Sequence, residues 1–263
     1  MILKVRHETR CAYASQVSLA AYVLHLRPRD LPWQQILSFT LQVSHESSRV
    51  TEAEDHFGNS VAWLFLDSPH ETLWITAETV LEVLPHGHPD PASTPAWEHL
   101  VRLAQQREAA HAIAEFAFGT ALAPAEANVW AASSFPPGRP VLAGLLDLME
   151  RLAPVLQGRT GAAHLMLAAL RGLGLPARYV SGYRQDGPHA AHLHTWIACW
   201  LGPEHGWISV DPVNNRLTGD EHVWLGWGRD HADVNPVRGV VQGGGQPTLR
   251  ASVDIWPATA PQG

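Results

Sequence analysis

The sequence predicts an α+β protein in which an N-terminal antiparallel β-sandwich precedes a core of helices packed on an antiparallel sheet. Three observations predict this class. Strand-like alternation of apolar and polar residues occupies the first part of the chain, helical spacing follows, and alternating segments return in the last part. With 263 residues, 46% of them hydrophobic, the chain can bury the core of one large domain or of two modest ones.

The first 88 residues are assigned to the β-sandwich domain. β-Branched and aromatic residues recur at period two in four segments, and Gly58 and Asn59 supply a turn. The segments are "ILKVRHETRCAYA", "ILSFTLQVS", "SRVTEAEDHFGNSVAWLFLDSP" and "ETLWITAETVLEVL". The sequence leaves open the alternative that these strands continue into one sheet with the rest of the chain.

Residues 89–139 are predicted to be a linker and helical segment, and residues 140–263 the core. "PHGHPDPASTP" and "SSFPPGRP" are Pro-rich connectors, whereas "AWEHLVRLAQQREAAHAIAEFAF" and "VLAGLLDLMERLAPVL" have helical spacing. A further helix is expected from Gly161 to about Leu173, with Pro176 beyond its end. Strands are expected at "ARYVSGYR", "LHTWIACWLG" and "GWISVDPVNN". The glycine triplet 243–245 precedes a strand, which favours a flexible hairpin loop over a phosphate-binding loop.

Composition excludes several classes of function. A net charge of -7 with only 18 Lys and Arg residues argues against a nucleic-acid partner. The N-terminal residues lack the pattern of a signal peptide and no segment has the apolar length of a membrane span, so we expect a cytoplasmic protein without a membrane partner. Cys11 and Cys199 are too few for a disulfide framework, and each is expected to be a small buried apolar residue.

Two residues have the placement of a general base and its orienting carboxylate. His194 lies on one predicted strand and Asp211 ends the next, so their side chains can meet side by side. The helix that begins near Gly161 is where a thiol nucleophile would gain from the helix dipole. This is a Cys-His-Asp plan in which the cysteine is absent.

At these residues the sequence resembles the bacterial transglutaminase-like family. The N-terminal match is carried by "VRHETRCAYASQVSLAAYVLHLRPRD" and "EDHFGNSVAWLFLDSPHETLWITAETVLEV". The core match is carried by "AHLMLAALRGLGLPARYVSGY", "LHTWIACWLGPEHGWISVDPVNN" and "WGRDHADVNPVRG". The resemblance covers nearly the whole chain and implies a papain-like cysteine-protease fold behind an N-terminal β region.

The sequence departs from the family at the nucleophile. The family's helix opens with a Gly-Val-Cys-Gln-Asp-Phe-Ala-His type of motif, and counting back from "AHLM" places Arg159 where the cysteine should be, followed by Thr160 and Gly161. The segment before it is also shorter than in family members. The resemblance carries the family's His and Asp over to His194 and Asp211, which we interpret as a vestigial dyad.

Other residues near the missing cysteine leave alternatives open. Thr160 is a nucleophile candidate or a simple helix cap, and its alcohol ionises far less readily than a thiol. Cys199 lies five residues beyond His194, an odd offset that places it on the opposite face of the strand. Arg159 either reaches into the cleft, where its guanidinium suits a carboxylate, or points to solvent. The candidate binding residues are Arg159, Thr160 and Trp196.

The His-rich segment "HAAHLHTW" offers a weaker metal hypothesis. His189, His192 and His194 could bind zinc together with Asp211, or the segment is a loop that happens to be rich in histidine. His164, at a family position on the helix, is expected to be a packed structural residue. We therefore predict no metal and no cofactor.

Three functions follow from this reading of the residues. The first is a catalytically inactive transglutaminase-like protein that binds a peptide or a protein partner. The second is an active cysteine-independent or metal-assisted peptidase, amidase or amide-forming enzyme. The third is a structural subunit that pairs with an active paralogue, since the resemblance implies sets that contain transglutaminase-like, ATP-grasp and α-E proteins.

Overall fold

The computed structural model describes residues 1–45, 47–106, 111–120, 128–156, 161–187 and 190–259. The strands are β1 (Ile2–Leu24), β2 (Gln34–Val43), β3 (Arg49–Glu54), β4 (Ser60–Leu66), β5 (His70–Val83), β6 (Ala177–Gly187), β7 (Ala190–Trp200), β8 (Trp207–Asp211), β9 (Arg216–Leu217), β10 (His222–Gly228), β11 (Val237–Gly243) and β12 (Thr248–Pro257). The helices are α1 (Trp97–Gln105), α2 (His111–Ala114), α3 (Asn128–Ser134), α4 (Val141–Leu156) and α5 (Ala162–Gly172), with short 3-10 turns at Pro91–Ser93 and Glu115–Ala117.

The twelve strands form one antiparallel sheet, and the helices gather beside its second half, which confirms the α+β class. β1 is long enough to serve two groups of strands. Its first half pairs with β5 and β12, and its second half pairs with β4 and β11. The pairing register shifts between Ala12 and Val17, where the strand passes from one group to the other. Apolar side chains from both groups share one buried cluster, as in a sandwich.

The last two strands change the predicted division of the chain. β11 and β12 both pair with β1, so the C-terminal residues complete the N-terminal β region instead of belonging to a separate core that begins at residue 140. A single pairing of Val253 with Ala191 then joins this region to β7. The sequence left open whether the N-terminal strands continue into one sheet with the rest of the chain. The structure shows that they do. The triplet 243–245 begins at the last residue of β11 and continues into the connection to β12, and all three glycines have positive φ.

The second half of the molecule is built around α4, α5 and the strands β6–β8. α5 begins and ends within one residue of the predicted bounds, and most of its side chains are buried. They join α4 and the strands in the largest apolar cluster of the described chain. The predicted long helix after residue 96 is shorter than expected. α1 ends at Gln105, residues 107–110 lie outside the described residues, and the predicted stretch continues as α2 and the 3-10 turn at Glu115–Ala117.

None of the described helices is long and apolar enough to cross a membrane.

Candidate functional site

Strand pairing brings His194 and Asp211 together. β7 lies between β6 and β8, with Gly182 opposite His194 on one side and Val210 opposite Ile197 on the other. His194 Nε2 donates a hydrogen bond of 2.8 Å to Asp211 Oδ2. In the neutral imidazole this leaves Nδ1 without a proton, so the free nitrogen of His194 is the one that can accept a proton.

Asp211 is the most strongly held group of the site. Its side chain has no exposed surface, and Asn214 Nδ2 donates to the same oxygen, Oδ2, at 2.6 Å. Oδ1 accepts from the backbone N–H groups of Val213 and Asn214 at 3.1 and 3.2 Å. Burial alone would raise the pKa of this carboxyl, but the hydrogen bonds from His194, His222 and Asn214 outweigh it and hold the pKa well below the usual range. Asp211 is therefore an ionised orienting group.

His222 is a third member of the site that the sequence did not reveal. It begins β10, is buried, and places Nε2 3.2 Å from Asp211 Oδ2. The backbone N–H of Gly219 donates to His222 Nδ1 at 3.1 Å, so a neutral His222 carries its proton on Nε2 and donates it to Asp211. No motif in the sequence joins His222 to His194, because the contact depends on β10 pairing with β6.

The same three side chains are the metal-ligand cluster of the described residues. The ligand atoms of His194, Asp211 and His222 lie within 4.8 Å of one another. A metal ion would need the lone pair of His222 Nε2, whereas the Gly219 N–H already occupies Nδ1 and keeps the proton on Nε2. The donor pattern thus favours a hydrogen-bonded triad over a metal centre.

A cleft of about 400 Å³ opens beside His194. Residues of β7, the start of α5, the 231–237 segment, β1 and β12 line it. Its titratable lining groups among the described residues are imidazoles, and much of the remaining wall is apolar. The apolar lining side chains are Ala162, Leu193, Val213, Pro236, Val237, Leu249 and Ala251.

The N-terminal β region also contributes to this cleft, which the sequence analysis did not anticipate. His7 and Thr9 of β1 lie in its wall. His7 Nδ1 is hydrogen-bonded to Tyr183 Oη and Nε2 to Thr9 Oγ1, both at 2.9 Å. Burial lowers the pKa of His7 to about 4, so this imidazole is neutral at pH 7. The β region and the core therefore share one cleft.

The start of α5 faces the same cleft. Gly161 and Ala162 are both in its wall, and Gly161 caps the helix in a left-handed conformation, with φ of 104° and no side-chain cap. Among the described residues, no atom lies within 4 Å of the position that a Cβ atom on Gly161 would take. Arg159 and Thr160, the predicted nucleophile position and its neighbour, lie outside the described residues.

Comparison with known families identifies the two halves of the chain. Residues 3–82 match the bacterial transglutaminase-like N-terminal region, and residues 155–212 match the transglutaminase-like superfamily. The second match includes α5, His194 and Asp211.

The chain matches transglutaminase-like families in both halves.

Relatives of this transglutaminase-like chain are bacterial. Uncharacterized proteins from Mycobacterium tuberculosis and Mycobacterium bovis are 28% identical over 294 residues, covering 97% of this chain and 92% of theirs. A protein-glutamine gamma-glutamyltransferase from Pseudomonas aeruginosa is 41% identical over 61 residues, which is 19% of this chain and 9% of that protein. The crystal structure of a proposed cysteine protease from Cytophaga hutchinsonii has a TM-score of 0.74 and 16% identity, covering 97% of this chain and 90% of that one. This chain therefore shares its fold with that structure along nearly its whole length.

Both thiols of this transglutaminase-like chain are buried away from the cleft. Cys199 packs with Ile197 in the helix-side core, whereas Trp196 and Ala198 pack on the other face of β7, so the predicted opposite orientation is confirmed. Burial raises the pKa of Cys199 to about 12. Cys11 lies in the core of the β region, and burial raises its pKa as well. Neither thiol lines the cleft.

The remaining candidate residues take other positions. Trp196 was expected to contact a ligand, but its side chain is fully buried beneath His194 and His222, where it supports them. His192 Nδ1 lies 2.7 Å from an Asp186 carboxylate oxygen instead of joining a metal site with His194. His164 is half-buried and packs against Tyr179, as a structural residue does. His189 lies outside the described residues.

Proposed function

We propose that this protein is a catalytically inactive transglutaminase-like protein that binds a peptide or protein partner in the cleft beside His194. One observation carries the proposal. The chain has two cysteines, and both are buried outside the cleft, while the His-Asp pair that would serve a cysteine remains in place. No thiol lies in the described wall of the cleft beside His194, which supports binding over thiol chemistry as the function of the cleft.

The cleft suits an extended peptide with apolar side chains. Its described walls carry no carboxylate and no Lys or Arg, and the apolar residues on them would exclude water from a bound side chain. Arg159 stands two residues before Gly161, a residue of the cleft wall, and we propose that this arginine takes part in binding. Backbone N–H groups at a helix start and a guanidinium favour a carboxylate, such as an acidic side chain or a peptide end.

Two other functions have less support. A metal-assisted enzyme would use the cluster of His194, Asp211 and His222. The hydrogen bond from Gly219 N–H to His222 Nδ1 keeps the proton on Nε2, the nitrogen that a metal would need. A structural subunit that pairs with an active paralogue, or with an ATP-grasp or α-E protein, is a form of the partner-binding proposal. We also propose that the protein acts in the cytoplasm.

Iodoacetamide labelling and activity assays distinguish an inactive protein from an enzyme that uses Cys11 or Cys199 as its nucleophile. We expect no iodoacetamide-sensitive peptidase or amine-incorporating activity, because the buried Cys199 with a pKa of about 12 has almost no thiolate at pH 7. Arg159→Cys should restore a reactive thiol that labels with iodoacetamide faster than either native cysteine. Adding His194→Ala should slow this labelling about tenfold or more, since the imidazole no longer assists ionisation.

The matched control for the thiol test is Ser252→Cys, which places an exposed thiol on β12. Its labelling should not depend on His194. Equal rates for the two new cysteines, or turnover of the unmodified protein that Cys199→Ala abolishes, would contradict the proposal.

The binding test compares short peptides that differ in charge. Peptides with an acidic side chain or a free carboxyl end should bind about tenfold more tightly than amidated neutral ones, because a charge-assisted hydrogen bond is lost with the carboxylate. Arg159→Ala should remove this preference, whereas Arg151→Ala, on exposed α4 surface, should keep it. Calorimetric titration measures both constants. If acidic peptides gain nothing, or if Arg159→Ala changes nothing, the helix start is not the anion site.

A further inference from the structure

A second cavity is lined by Trp224, which packs against Trp196. Its volume is about 190 Å³, it is partly open to solvent, and it shares no lining residue with the cleft. The residues before β2, the segment 86–88 after β5, and the strands β8 and β10 enclose it. The Trp224 ring lies edge-on to Trp196 at 5.5 Å and to Trp33 at 5.7 Å between ring centroids.

Unsatisfied polar atoms are concentrated in this cavity. Fourteen buried side-chain nitrogen and oxygen atoms have no hydrogen-bond partner among the described residues, and six of them belong to residues that line it. The six are Trp33 Nε1, His86 Nδ1, His88 Nδ1, Ser209 Oγ, Thr218 Oγ1 and Trp224 Nε1. The side chains of Ser209, Thr218 and Trp224 are at most 4% exposed. Since an unpaired buried polar group costs stability, so many at one place indicate a polar guest.

The six atoms define which hydrogen-bonding groups a ligand of this cavity must carry. The two indole N–H groups can only donate, so they require acceptors. His88 Nε2 donates to the carbonyl oxygen of Thr218 at 2.8 Å, which leaves Nδ1 of a neutral His88 as an acceptor that requires a donor. The hydroxyls of Ser209 and Thr218 can do either. A set of hydroxyl groups, each of which donates and accepts, satisfies all of these positions.

The charge of the cavity excludes a strongly ionic guest. No Asp, Glu, Lys or Arg lines it among the described residues. Burial, reinforced by the neighbouring His88, lowers the pKa of His86, which favours the neutral form of this imidazole at pH 7. A desolvated ion without a counter-charge is costly, whereas an uncharged hydroxyl-rich molecule is not. Three indoles in the wall also suit the apolar face of a sugar ring.

We propose that this cavity, lined by Trp33, Trp224, Ser209 and Thr218, binds the pyranose ring of an uncharged sugar. The hydroxyls of the sugar take the places that the unpaired indole, imidazole and hydroxyl groups leave open. The site is independent of the cleft beside His194, so it does not rest on the peptide-binding proposal.

The test titrates the full-length chain with methyl glucoside and N-acetylglucosamine, and separately with sodium sulfate, by calorimetry. We expect the pyranoses to bind with a dissociation constant of about 1 mM, the range for a ligand of this size. Ser209→Ala and Thr218→Val should each weaken binding about tenfold, because each removes one hydrogen bond to the sugar. Ser252→Ala, at an exposed position of β12, is the control and should leave binding unchanged.

The variants also report on folding. The Ser209 hydroxyl has no partner within the described protein, so Ser209→Ala should keep the melting temperature while it weakens sugar binding. Three results would overturn the proposal: no pyranose binding at about a hundredfold the expected constant, pyranose binding that Ser209→Ala and Thr218→Val leave unchanged, or sulfate binding without sugar binding. A crystal structure grown with sugar that shows only water in the cavity would also overturn it.

Discussion

Replacing Asp211 with alanine is expected to lower the free energy of unfolding by about 3–5 kcal/mol, the range for removing one partner from a buried charged network. The carboxylate is fully buried and accepts hydrogen bonds from His194, His222 and Asn214 and from two backbone N–H groups. Without it, all of these donors lose their acceptor in a place that water does not reach. Chemical denaturation at neutral pH measures the loss.

The control for this prediction is Asp254→Ala, because Asp254 is exposed on β12 and its loss should change stability by less than about 0.5 kcal/mol. Asp211→Asn adds a pH dependence. The folded state lowers the pKa of the Asp211 carboxyl, so its contribution is complete above the unfolded pKa of about 3.9 and is lost as the pH falls below that value. The stability gap between the natural protein and Asp211→Asn should therefore narrow below about pH 4. A gap that stays constant would mean that the carboxyl is not held in this network.

Replacing Trp196 with alanine is expected to cost about 3–5 kcal/mol of unfolding free energy, as for other fully buried aromatic residues. The indole lies over Gly182, where a Cβ atom would come within 2.4 Å of it, and it packs edge-on against His222 at 5.0 Å between ring centroids. Its removal opens a cavity beneath both histidines of the site. Thermal and chemical denaturation measure the loss.

Trp63→Ala is the matched control for the Trp196 variant, since Trp63 on β4 is 55% exposed. Its removal should cost much less, because little surface is transferred back to water. If the two variants lost the same stability, Trp196 would not be the packed support of His194 and His222.

The sequence predicted the part of the site that lies on neighbouring strands. His194 and Asp211 could be paired because both follow period-two patterns in consecutive strands and because the resemblance supplied their roles. Asn214 stood in the same quoted segment, three residues after Asp211, but its contact depends on the turn that follows β8. The opposite orientation of Cys199 followed from strand alternation alone.

The site residues that sequence analysis did not identify lie in segments that are far from His194 and Asp211 along the chain or in another part of the sheet. His222 reaches Asp211 only after β10 has paired with β6, and His7 reaches the cleft only after β1 has paired with β12. Neither pairing leaves a local pattern in the sequence. The same cause explains the predicted domain boundary at residue 140. Strand propensity identified β12 as a strand, but only tertiary structure determines that its partner is β1.

The return of β11 and β12 to β1 has a consequence for synthesis on the ribosome. β1 pairs with β11 and β12, so its pairing in the sheet is complete only after residues 237–257 have been synthesised. During that interval its unpaired backbone groups form an open edge that can join another chain. In a nascent chain of this topology, the N-terminal β region therefore completes its folding late. Premature termination before residue 237 would leave an aggregation-prone fragment instead of an independent β domain.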